Sequence, residues 1–225
     1  MASLFVSPET LSLEKEIKED SSFSYFLSKP LSEKKSSLVF HVSKGKELKL
    51  TLVDFSKGDL DISFKVDLEE GSKATLLVAS IDTASYKKIF KADVNHNGIG
   101  SESLTKMAGI NSAKGELRFL GSSYIKNGAH KSSTRQEAKI TNLSPDAISE
   151  CSPALLIKEY DVKASHGAAL GAYNPEELFY LMSRGLSLEE SKKLITYGSL
   201  LPIIESLGEE NLVKEVKDSL GGLAL

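Results

Sequence analysis

One cysteine, Cys151, excludes an internal disulfide framework, and with it a small secreted domain held together by staples. A lone thiol fits a reducing compartment, so the expected location is cytoplasmic. No apolar run approaches the ~20 residues that a membrane-spanning helix needs. The opening Met-Ala-Ser-Leu-Phe-Val-Ser-Pro-Glu has neither a basic start nor a long apolar stretch, so no secretory leader is expected. A surplus of positive charge is also missing. The chain has 28 basic and 31 acidic residues, a net charge of −3, which argues against nucleic acid as a partner. Tryptophan is absent, which excludes nothing.

Signature chemistry is lacking too. There is no Gly-x-x-x-x-Gly-Lys phosphate loop, so the chain is not itself expected to be an ATPase, and no Gly-x-Gly-x-x-Gly follows a strand. No Cys-x-x-Cys or His-x-x-x-His spacing points to zinc, and no Gly-x-Ser-x-Gly marks a nucleophile elbow. No cofactor is implied by motif.

What is present is a long run of period-two alternation. With 225 residues, 40% of them hydrophobic, the chain can bury a real core as one large domain or a domain with an appendix. Residues 1–36 read as a lead-in rich in Ser, Glu and Lys. Ser7-Pro8-Glu9 can start a short helix, and Phe23 to Leu27 form an apolar cluster or a first strand. From Ser37, apolar residues alternate with polar ones: Leu38, Phe40, Val42; then Leu48, Leu50, Leu52; then Leu60, Ile62, Phe64, Val66, Leu68. Lys44-Gly45, Lys57-Gly58 and Glu70-Gly71 punctuate them. A looser version continues to Ile157, and the unit recurs about every twelve residues. A closed sandwich or barrel and a solenoid of β rungs both fit; the repeat spacing favours the solenoid.

At Asn174 the period changes to helical. Asn174 is a good N-cap, Pro175 suits the first helical position and Gly185 ends the helix. Ser187-Leu-Glu-Glu190 is a capping box opening a second helix, which carries Leu194, Ile195, Gly198, Leu201, Ile204 and Leu207 and which Pro202 is expected to kink. A third helix starts near Glu209, with Leu212, Val213, Val216 and Leu220 on one face. The expected division is a lead-in over 1–36, a β core over 37–172 and a helical region over 173–225.

Four histidines are scattered. His41 falls on the polar side of a strand, and His96 and His130 fall in turns, so all three read as solvated or structural. His166 differs. It sits among Ser165, Gly167, Ala168 and Ala169, small residues that leave an imidazole reachable, in a segment expected to turn at Gly167 and Gly171. A metal ligand and a capped turn histidine are both open readings. Cys151, before an apolar strand, reads either as a small buried hydrophobe or as a thiolate binding iron or carrying sulfur. In the first helix Phe179 and Tyr180 cannot share a core face with Leu178 and Leu181, which leaves aromatic surface for a partner or for the next helix. Arg184 before Gly185 suits a helix C-terminus on dipole grounds alone.

Three segments resemble the SufB/SufD family of iron–sulfur cluster assembly proteins. They are Gly121 to Gln136; Leu143-Ser-Pro-Asp-Ala147 with Ser152-Pro-Ala-Leu-Leu-Ile157; and Asp161-Val-Lys-Ala-Ser-His-Gly-Ala168 with Leu178-Phe-Tyr-Leu-Met-Ser-Arg-Gly185. The likeness runs from near Gly115 to near Tyr197. It implies a right-handed parallel β-helix followed by a small helical region. It also implies a non-catalytic scaffold that pairs through its β-helix with a SufB-like protomer or with itself, receives sulfur from a donor system and docks a SufC-like ABC ATPase. The text is closer to SufD than to SufB. His166 falls on the SufD histidine implicated in cluster formation, so the resemblance makes it a ligand for iron or a transient iron–sulfur cluster. The SufB cysteine position corresponds to Ala147 here, and Ala164 stands where many SufD relatives have cysteine. Cys151 lies near but not at the SufB position and remains a weak ligand candidate. Leu178, Phe179, Tyr180, Ser183, Arg184 and Gly185 are the implied partner contacts. Family members usually carry a longer N-terminal region with its own helices, which residues 1–36 are too few to form. Two other readings stay open: a homodimeric scaffold, and a carbohydrate-active enzyme on a β-solenoid, which needs carboxylates clustered on one face.

Overall fold

The computed structural model describes residues 2–6, 8–112 and 114–222. Thirteen strands alternate between two parallel sheets. Sheet A holds the odd strands: β1 (Ala2–Val6), β3 (Ser21–Leu27), β5 (Glu47–Asp54), β7 (Lys73–Asp82), β9 (Glu102–Asn111), β11 (Ser133–Asn142) and β13 (Lys163–Gly171). Sheet B holds the even ones: β2 (Leu13–Ile17), β4 (Lys35–Val42), β6 (Leu60–Leu68), β8 (Lys87–His96), β10 (Glu116–Ile125) and β12 (Ile148–Ile157). Each sheet runs in order along the chain, so two successive strands make one turn of a β-solenoid. The twelve-residue unit of the sequence is half a turn.

Alternation builds this architecture directly. Period-two side chains send Leu38, Phe40 and Val42 inward and leave Val39 and His41 outside. In-register parallel pairing then stacks like on like. Leu38, Phe64 and Ala92 form one column of sheet B; Ile62, Phe90, Phe119 and Cys151 form the next. A fully buried side chain of this size contributes roughly 1.5–3 kcal/mol, which is how short strands pay for their order.

The turns explain the period. Gly45, Gly71 and Gly100 occupy one corner with positive φ, and Lys131 (φ 60°) takes the same role in the last complete turn. Each donates its N–H to the next turn: to Glu70, Ile99, His130 and Asp161 carbonyls respectively. A second corner is held by charge. Lys88, fully buried, donates to Asp54 Oδ2 (2.8 Å), the Ser56 carbonyl (2.8 Å) and the Ile81 carbonyl (2.9 Å), so all three ammonium hydrogens are used.

Three helices follow: α1 (Pro175–Ser183), α2 (Leu188–Glu205) and α3 (Glu210–Gly221). Asn174 caps α1 by accepting the Glu176 N–H, and Ser187 with Glu190 forms the capping box of α2. Leu200, Ile203, Ile204, Leu207, Leu212, Val216 and Leu220 cover the outer face of sheet A, on Val53, Leu77, Ala79, Ile81, Ala108 and Ile110. Sheet A is therefore buried on both faces there, and β5 from Leu50 and β7 from Leu76 are buried without interruption.

Four expectations are corrected. Residues 1–36 are more than a lead-in: Leu11, Ile17, Phe23, Tyr25 and Leu27 are buried in the solenoid core, and β4 begins at Lys35. Pro8 and Glu9 are not helical, and Ser7 lies outside the described residues. Gly167 is not a turn, since β13 runs unbroken to Gly171 on its ladder with β11. On α2 the buried face is Ser191, Thr196, Leu200, Ile203 and Ile204, while Leu194 is exposed.

Candidate functional site

The solenoid ends in two bare edges. Among the described residues β13 pairs only with β11, and β12 only with β10. Every residue of β13 is exposed. Pro153 is compatible with β12 because an edge strand tolerates a missing N–H. Apolar side chains gather at this end: Ile148, Leu156 and Leu170 are each more than half exposed, at 57%, 55% and 52%.

Register fixes where the two candidate ligands point. His166 is level with Gln136, which faces the interior, so His166 faces the same way; no further turn covers it, and it is exposed. It tops a column of Phe23, Leu50, Leu76, Thr105 and Gln136. Cys151 tops the column over Phe119 on the facing sheet and is half-buried and free. Its Sγ donates weakly to the Ala169 carbonyl at 3.9 Å. Burial pushes the thiol up to about 11, with the Glu150 charge acting the same way. Without a bound metal the thiol is protonated at neutral pH. Both candidates thus face the interior of one terminal turn, yet no three His, Cys, Asp or Glu side chains converge among the described residues. A single imidazole is an incomplete donor set for iron.

Beneath this end lies a polar layer that the sequence reading missed. His96 is fully buried, which is the structural of its two readings, but it closes β8 and is not in a turn. Its Nδ1 is 2.8 Å from Ser101 Oγ and its Nε2 2.9 Å from Ser103 Oγ. A neutral imidazole serves both, donating at one nitrogen and accepting at the other, and burial lowers its pKa to about 4. Ser103 bonds Thr134 (2.8 Å), Thr134 donates to Ser123 (2.8 Å), and Gln136 Nε2 donates to Ser123 (2.6 Å) and to the Ala154 carbonyl (3.1 Å). Gly121 makes room for this amide: a Cβ there would stand 2.7 Å from Gln136 Oε1. The signal was available, since Ser103, Thr105, Ser123, Thr134 and Gln136 occupy inward positions that hold Leu and Phe in earlier strands. The other histidines are peripheral: His41 is exposed between Glu14 and Asp67, and His130 is half-buried in a corner.

The second candidate surface is α1, which buries no residue. Phe179 and Tyr180 are 74% and 56% exposed, Met182 is exposed, and Leu178 is half-buried. Arg184 caps the helix and stacks on the Tyr180 ring at 5.2 Å, and the Ser183 hydroxyl donates to the Tyr180 carbonyl. Gly185 follows with φ 97°, which requires glycine. No helix among the described residues is long and apolar enough to cross a membrane.

These features define a parallel β-solenoid whose last turn leaves β12 and β13 paired on one side only, with an appended helical region lying on one sheet. Residues 19–199 match the family model described as SUF system FeS cluster assembly, SufBD core domain, and the chain belongs to that family. It is similar to the iron–sulfur cluster assembly protein SufD of Bacillus subtilis, with 36% identity over 127 residues, 56% of this chain and 29% of the relative. The Escherichia coli SufD is 33% identical over 114 residues, 50% of this chain and 26% of that protein. A SufBD family protein of Pyrococcus horikoshii is 42% identical over 72 residues, 32% of this chain and 16% of the relative. The matched region spans less than a third of the length of each of these relatives.

Proposed function

We propose that the chain is a non-catalytic, SufD-like scaffold subunit of a cytoplasmic iron–sulfur assembly complex. It pairs end to end through the edges of β12 and β13 with a SufB-like protomer, and the helical region holds an ABC-type ATPase subunit. Sulfur arrives from a separate donor system, and iron or a nascent cluster is the cargo. The observation that carries this reading is β13, exposed along its whole length with His166 on its uncovered inner side. An open edge with apolar flanks calls for a strand from another chain. One imidazole, with the Cys151 thiol only at the same end, also calls for ligands from that chain, because iron at such a site needs more donors than His166 alone. The surface for the ATPase is Phe179, Tyr180 and Met182 on α1, apolar area left exposed among the described residues.

Anaerobic reconstitution with iron, sulfide and a SufB-like partner tests the site. His166→Ala is expected to lower cluster yield while leaving the partner bound; unchanged yield removes the site claim. Removing residues 174–225 is expected to abolish capture of the ATPase, and capture by the shortened chain removes the docking claim. A native mass of two identical chains that assemble a cluster without a partner would favour the homodimeric scaffold.

A further inference from the structure

Helix α2 has two unequal halves. Its C-terminal half is anchored: Leu200, Ile203 and Ile204 are buried on sheet A with Leu207 just beyond, and the Ser24 hydroxyl donates to the Leu207 carbonyl at 2.8 Å. Its N-terminal half buries only Ser191 and Thr196 and packs against α1, and Thr196 is 2.8 Å from the hydroxyl of Tyr173, in the short link between β13 and α1. Between the halves stand Gly198 and Pro202. Proline has no N–H, so the Gly198 carbonyl four residues earlier loses its helical donor. Gly198 is not there for want of space, because a Cβ at that position would meet nothing within 4 Å. A glycine and a proline one turn apart weaken the helix at one point.

Two clefts run between this outer arm and the solenoid. One, about 520 Å³, lies under Gly198, Ser199 and Pro202, with Ala108, Glu137, Gly167 and Ala169 on the opposite wall. The other, about 220 Å³, separates Glu177 and Ile195 from Thr141 and Gly171. Lys139 and Ala169 line both, so the clefts adjoin. Across the second cleft the arm presents a carboxylate, Glu177, and the sheet an ammonium, Lys139. Both are exposed, and among the described residues neither has an ion pair or a side-chain hydrogen bond.

We propose that α1 and the first half of α2 form a flap, hinged at Gly198 and Pro202, that closes onto the outer face of β11 and β13 and pairs Glu177 with Lys139. Gly167 and Gly171 on β13 offer an unobstructed floor. Closure links the partner-facing helix to the back of the strand that carries His166. This goes beyond the proposed scaffold role, and its test needs neither iron nor ATPase, so the two fail separately. Spin labels at Lys65→Cys and Lys193→Cys, in a Cys151→Ser background, report the separation of flap and solenoid in the full chain. Two separations are expected. The shorter loses about two- to fivefold in population in Glu177→Lys or Lys139→Glu, the range for one exposed ion pair, and recovers in the double reversal. Gly198→Ala with Pro202→Ala, which restores a continuous helix, is expected to leave a single separation. The charge reversals touch only exposed side chains, so they remain decisive if the hinge variant folds poorly. One separation in the parent chain, or two whose ratio ignores all these substitutions, overturns the proposal.

Discussion

The first and last turns of the solenoid have the same backbone and different interiors. In the column that ends at His166, Phe23, Leu50 and Leu76 give way to Thr105 and Gln136. In the column beside it on the facing sheet, Phe40, Val66 and Val94 give way to Ser123. The early turns are held by dry packing, the late ones by hydrogen bonds that must all be made to be worth having. The comparison teaches that the ladder sets the fold, while the inward residues decide whether a turn is merely stable or also offers polar groups at an open end.

The largest effect is expected in the dry half. Phe64 is fully buried between Leu38 and Ala92. Phe64→Ala should cost about 3–5 kcal/mol, because a stacked column cannot collapse into the void. Urea unfolding would measure it. A loss below ~1 kcal/mol would mean that the early turns are packed loosely, and the contrast with the late turns would fail.

The second effect separates the halves by pH. The folded His96 titrates near 4, while its unfolded value is 6.5, so the unfolded chain binds the extra proton between them. A depressed folded pKa gives stability that is fully present above about 6.5 and is lost as pH falls towards 4, on the order of 3 kcal/mol in all. His96→Leu should remove that slope. At pH 7.5 it should also cost about 1–3 kcal/mol, by leaving the Ser101 and Ser103 hydroxyls without the imidazole. Unfolding free energies at pH 7.5 and 5 for both proteins check the sign. An unchanged slope in the variant would place the titration elsewhere.

The halves were not equally legible in the sequence. Leu48-Lys-Leu-Thr-Leu and Leu60 to Leu68 announced their strands because one face is apolar without exception. The helices announced themselves at Asn174 and Ser187, where local chemistry alone sets the cap. Gly167 misled, since a glycine marks a turn only when φ requires it, and here the ladder with β11 overrides local preference. His96 misled for a longer-range reason: its partners Ser101 and Ser103 are close in sequence, but Thr134 and Ser123 reach the network only through register one turn on. Register likewise placed Cys151 and His166 at the same end, which spacing alone did not reveal. The open edge itself has no sequence signal; only the strand order shows that nothing lies beyond β13 among the described residues.

The smallest effect concerns the corner that both halves share. Gly45, Gly71 and Gly100 hold the left-handed position in their turns without a Cβ, and Lys131 holds it with one. A left-handed non-glycine residue costs roughly 1–2 kcal/mol, and here it is imposed by the N–H that must reach the Asp161 carbonyl at 2.6 Å. Lys131→Gly relieves that strain but also frees the unfolded chain, which takes back about 0.4–1 kcal/mol. The net expectation is a gain of under ~1 kcal/mol, read as a higher urea midpoint at unchanged slope. Lys131→Ala is the control: it removes the side chain but keeps the Cβ, so it should gain nothing. A gain in the alanine variant equal to that in glycine would show that the lysine side chain, not its backbone, burdens the last turn. The four corners would then differ in surface chemistry rather than in conformation.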